Sequence, residues 1–98
     1  MYVILTSKPG QFHTDVDDNF FPVEAYDYIC YGRKRAHFVI ASLERGDAKV
    51  RIVEETEDPT VNLVPSKFLP SFDTLEKARD ELHQLSHFGH TQASLVKC

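Results

Sequence analysis

Residues 72–89 constrain the fold of this chain more than any other stretch, because several independent signals coincide there. Asp73 or Thr74 can cap a helix, Glu76 stands where a capping box places an acid, and Gly89 can close the far end. Between them Leu75, Ala78, Leu82 and Leu85 recur at helical spacing, so one stripe is apolar and the remaining positions are polar. The pattern predicts a helix over residues 74–88 that must bury its stripe against another layer.

The chain has 98 residues, which suits a single domain, 1–98, with one core and a radius of gyration of about 13 Å. A net charge of −4 argues against nucleic acid or an anionic membrane as the main partner. Cys30 and Cys98 lie far apart and belong to no CxxC pair, so a disulfide framework is not expected and a reducing compartment fits. The apolar run Tyr2 to Leu5 is too short for a signal-peptide core, and Phe38 to Ala41 too short for a membrane span. A cytoplasmic protein with no membrane partner is the expectation.

The remaining elements read as strands. Residues 2–6 form a short buried strand stopped by Pro9-Gly10, and residues 7–21 are irregular. Phe38-Val39-Ile40-Ala41 and Val50-Arg51-Ile52-Val53 flank a turn-like insert, Arg45-Gly46-Asp47-Ala48. A two-residue turn at Gly46 and Asp47 would pair Ile40 with Val53 and Ser42 with Arg51 in an antiparallel hairpin. Residues 22–31, rich in tyrosine, favour a strand, although Pro22 and Gly32 could frame a short helix. Pro59, Pro65 and Pro70 make 56–72 a stiff extended arm rather than a ladder strand, and 93–97 can form a last strand. The fold class is therefore α+β: an antiparallel sheet of four to five strands with one C-terminal helix packed on one face. A helix at 22–31 would instead give the ferredoxin-like order βαββαβ.

Candidate chemistry is sparse. His83 and His87 lie one helical turn apart and His90 can fold back after Gly89, so the three could share a zinc, copper or nickel ion; a solvated helix flank is the simpler reading. Gly32-Arg33-Lys34-Arg35 follows Tyr26, Tyr28 and Tyr31, joining charge to aromatic faces as nucleic-acid binders do, but the patch is small. Asp15-Val16-Asp17-Asp18-Asn19 opens like an EF-hand loop yet lacks its glycine and closing acid. Arg45-Gly46-Asp47 matches an adhesion tripeptide but reads as turn chemistry. His37 falls on the strand face of Val39, Ala41 and Leu43, the setting of a hydrogen-bonded core histidine. No nucleophile motif, phosphate loop, cofactor fingerprint or paired-carboxylate pattern is present, which disfavours an enzyme.

In the hairpin register above, Phe38, Ile40 and Val53 share the sheet face opposite the helix, an apolar patch with a polar rim. The expectation is a small non-enzymatic accessory, regulatory or protein-interaction subunit that binds another protein or a second copy of itself through that patch. The alternatives are a metal- or small-ligand-binding module using His83, His87 and His90, or a small nucleic-acid-binding protein using Arg33, Lys34 and Arg35.

Overall fold

A computed structural model describes residues 1–44, 48–87 and 93–98. In chain order the elements are β1 (Tyr2–Ser7), β2 (Phe12–Asp15), β3 (Phe20–Cys30), β4 (Arg33–Leu43), β5 (Lys49–Glu54), β6 (Val61–Pro65), β7 (Ser71–Phe72), α1 (Leu75–His87) and β8 (Ala93–Lys97). They make two antiparallel sheets, one of five strands in the order β7-β1-β4-β3-β8 and one of three in the order β2-β5-β6. The larger sheet is the middle layer: α1 covers one face and the three-stranded sheet covers part of the other.

Alternation along β1 and β4 explains that placement. Val3 and Leu5 point one way and pack with Phe20, Ala41, Leu43, Ala48 and Val50 between the sheets. Ile4 and Ile40 point the other way and pack with Tyr26, Ala78 and Leu82 beneath the helix. A strand buried on both faces reads as an unbroken apolar run, as Val3-Ile4-Leu5 does. Thr74 caps α1, its Oγ1 accepting from the Lys77 amide at 3.2 Å.

The β3–β4 hairpin turns on Tyr31 and Gly32, with φ of 53° and 76°, while Cys30 faces Arg33. Two left-handed residues in a two-residue loop match the right-handed twist of the strands, although a tyrosine there costs roughly 1–2 kcal/mol. The same hairpin contains two bulges. Pro22 pairs with Ala41 and Glu24 with Ile40, so Val23 is an extra residue on β3. Tyr28 pairs with Ala36 and Ile29 with Lys34, so Arg35 is an extra residue on β4.

Helix, last strand and the strand at 22–31 all form as the residue patterns indicate, and the βαββαβ alternative does not. The β4–β5 hairpin does not form either. β4 pairs with β1 and β3, whereas β5 pairs with β2 and β6 in the other sheet. An apolar strand accepts any partner that continues its two faces, and β1 offers a better one than the half-polar β5. Arg45, Gly46 and Asp47 themselves lie outside the described residues. Consequently the helix covers the Phe38/Ile40 face, not the Ala41/Leu43 face. Residues 56–72 are not merely an arm, because β6 and β7 are ladder strands. Their prolines sit where a missing amide is harmless: Pro65 ends an edge strand, and Pro59 and Pro70 precede β6 and β7. Residues 7–21 include β2. On the helix, Leu82 is 1% exposed but Leu85 is 53% exposed, so the stripe ends one turn earlier than its spacing implies.

Candidate metal centre

Two groups of charged side chains are held by the sheet, one on each face. Under the helix, the Glu24 carboxylate is buried and accepts from the Arg79 guanidinium, from the Arg79 Nε at 3.0 Å and from the Tyr26 hydroxyl, with the Lys97 ammonium 3.8 Å away. The hydrogen bonds from Arg79 and then Tyr26 outweigh burial and pull its pKa from 4.5 down to about 2. Burial first, then the neighbouring Glu24, pushes the Tyr26 hydroxyl up. Both carboxylate oxygens of Glu24 are engaged by Arg79 and Tyr26, so this group joins helix to sheet.

The second group lies on the opposite face. Asp27 and His37 are directly cross-strand on β3 and β4, and the His37 Nδ1 donates to Asp27 Oδ1 at 2.7 Å. The Lys34 ammonium reaches the same oxygen at 3.1 Å. β8 adds the third side: Lys97 pairs with Tyr26, and the Cys98 amide donates to the Ala25 carbonyl at 2.9 Å, which brings the Cys98 thiol to Asp27. One ligand atom each from Asp27, His37 and Cys98 lie within 4.8 Å of one another. Strict alternation would send Lys34 to the face opposite His37. The extra residue Arg35 reverses the phase and delivers Lys34 to Asp27.

Three proton-bearing groups thus converge on one carboxylate. The His37 hydrogen bond, followed by Lys34 and Cys98, lowers the Asp27 pKa despite its partial burial, so the carboxylate is ionised and Nδ1 carries the shared proton. Local desolvation by neighbouring groups and the adjacent Asp27 raise the Cys98 pKa, which suppresses the thiolate and runs against a nucleophilic cysteine. A dication reverses that logic, because it deprotonates a coordinating thiol and replaces the protons as the positive charge facing Asp27. Carboxylate, imidazole and thiolate are a zinc-type donor set, and tetrahedral bonds of about 2.0–2.3 Å place ligand atoms roughly 3.3–3.8 Å apart. Asp27 Oδ1 and His37 Nδ1, at 2.7 Å, are closer than that, and all three ligand atoms lie within 4.8 Å of one another.

The residues singled out from the sequence are placed differently. His83 is exposed on α1, His87 is its last residue, and His90 lies outside the described residues. Phe38 and Ile40 pack beneath the helix and Ile40 is fully buried, while Val53 sits on the other sheet, so the three do not form one surface. Arg33, Lys34 and Arg35 are exposed, and the Lys34 ammonium also reaches Asp27. Asp27 and Cys98 were legible only as a lone acid in a tyrosine-rich strand and a cysteine without a pair. Among the described residues no helix is long and apolar enough to cross a membrane. Comparison of the chain with protein-family models, with curated proteins and with solved structures finds no match.

Proposed function

We propose that the protein is a small metal-binding module that holds a divalent transition ion of the zinc class between Asp27, His37 and Cys98. The convergence of one carboxylate, one imidazole and one thiol within 4.8 Å supports this reading most directly. Three protein ligands leave a fourth position on the solvent side, since Cys98 is exposed. Cobalt titration tests the proposal. Stoichiometric Co2+ gives a thiolate-to-metal charge-transfer band, Zn2+ displaces it, and Cys98→Ser abolishes it. Lys34→Gln raises the affinity, because it removes a cation that competes for Asp27; an ordinary structural ion pair predicts no such gain. Absence of the band, or a band lost in His83→Ala and retained in His37→Ala, refutes the proposal, the second outcome moving the ion to the helix.

A second reading, an interaction subunit, is supported by a different observation. Val61 and Leu63 on β6 and Phe68 just after it are 45%, 58% and 70% exposed. Among the described residues β6 is bonded to β5 alone, which leaves an edge open. Its occupant under this reading is a second copy of the chain pairing edge to edge about Leu63, the self-complementary arrangement that most assemblies use.

A further inference from the structure

Beyond the end of the helix stripe, the five-stranded sheet carries a cavity of about 440 Å3 that the metal reading does not involve. Its sheet-side wall is made by Tyr28 and Phe38, whose ring centroids are 6.5 Å apart at an interplanar angle of 47°. Both rings are half-buried and present apolar faces rather than a sealed core. Leu85, exposed on α1, closes one side.

The described lining of the cavity is positively charged. Lys8 and Arg35 line it, and among the described residues no carboxylate does. Neither cation has an ion-pair partner among the described residues, in a chain whose net charge is −4. Both are positioned by backbone rather than left on free strand faces. Lys8 belongs to a closed turn in which its amide donates to the Phe12 carbonyl at 2.9 Å, and the Gln11 and Phe12 amides donate back to its carbonyl, each at 3.0 Å. The same turn brings Gln11 to the cavity wall. Arg35 is the bulged residue of β4, and the bulge lets it line the same cavity as its neighbour Ala36, where regular alternation would separate them.

We propose that this cavity binds a small organic anion: a carboxylate or phosphate group held by Arg35 and Lys8, on a flat unsaturated body lying against Tyr28 and Phe38. Guanidinium matches both anions with paired N–H donors, and the ammonium adds a second point charge. Aromatic walls favour a planar body over a polar chain, and the Thr6 hydroxyl and Gln11 amide supply neutral hydrogen bonds at the rim. The volume lies within the range of small-molecule sites.

Titration calorimetry of the full chain with five probes tests this. Adenosine monophosphate and benzoate represent the two anion sources, while adenosine and inorganic phosphate each lack one half of the pattern. At least one of the first two binds, and its matched control (adenosine or phosphate for the nucleotide, benzamide for benzoate) binds roughly tenfold more weakly. Arg35→Gln and Lys8→Gln, both at exposed positions that leave the core untouched, each weaken binding by roughly tenfold as well. Nucleotide binding without benzoate binding assigns the site to phosphates, and the reverse assigns it to carboxylates. Failure of both anions to bind, or affinity unchanged in both variants, overturns the proposal. A Cys98→Ser chain binds the anion normally, which separates this site from the metal centre.

Discussion

Glu24→Gln isolates the energy of the junction between helix and sheet. The Glu24 side chain is only 6% exposed and its pKa falls from 4.5 to about 2. A carboxyl whose folded pKa is depressed contributes stability that is complete above its unfolded pKa and is lost as pH falls toward the folded value. The shift corresponds to about 3 kcal/mol, which we reduce to about 2–3 because the Arg79 side chain is 40% exposed and screened by water. Glutamine keeps the shape and part of the hydrogen bonding but does not titrate. Urea unfolding of both proteins at about pH 6 and about pH 3 should therefore show the wild type ahead at the higher pH. The lead should shrink by roughly 1.5–2 kcal/mol at the lower one. Asp27, whose pKa is also lowered, weakens both proteins equally in acid and cancels in the difference. A gap that stays constant between the two pH values would mean that the pair contributes no charge-dependent stability, and the reasoning would fail.

The helix face gives a sharper mutational contrast than its spacing implies. Leu82→Ala should cost about 2–5 kcal/mol, as truncation of a sealed side chain does, whereas Leu85→Ala should cost less than about 1 kcal/mol because that residue is 53% exposed; equal urea midpoints would show the helix to be rotated. For the open edge of β6, sedimentation of the wild type as a dimer and of Leu63→Lys as a monomer is the expected pair of results. A monomeric wild type at high concentration removes that reading.

What could be read from residues alone divides along physical lines. The helix was legible because its cap, its spacing and its apolar stripe are local, and Thr74 caps it in the fold. The strand at 22–31 was legible from its tyrosines, and β8 from its composition. Pairing was not, because β4 finds its partners at β1 and β3 through matching of two buried faces, and nothing near residues 44–49 signals that the chain changes sheets there. Hidden for the same reason were Asp27, His37 and Cys98, which three different strands or strand ends bring together. His37 lies on the Val39 face, as alternation implies, but its partner comes from β3 and the thiol from beyond β8. Leu85 departs from the stripe because spacing defines a stripe and only the length of the opposing layer defines where it ends.

The bulges at Val23 and Arg35 also mark where this chain has slack. Each is a residue that the opposing strand does not need, since Pro22 and Glu24 already fall against adjacent partners, as do Ala36 and Lys34. Loss of either residue would close the ladder into regular pairing and leave every other side chain on its present face. Within the paired strands the hairpin tolerates a change of length at these two points, whereas a one-residue slip elsewhere in the ladder turns the core outward. Arg35 is thus surplus to the architecture. The sheet is complete without it, and retaining a guanidinium at such a point costs backbone pairing and returns nothing to the fold.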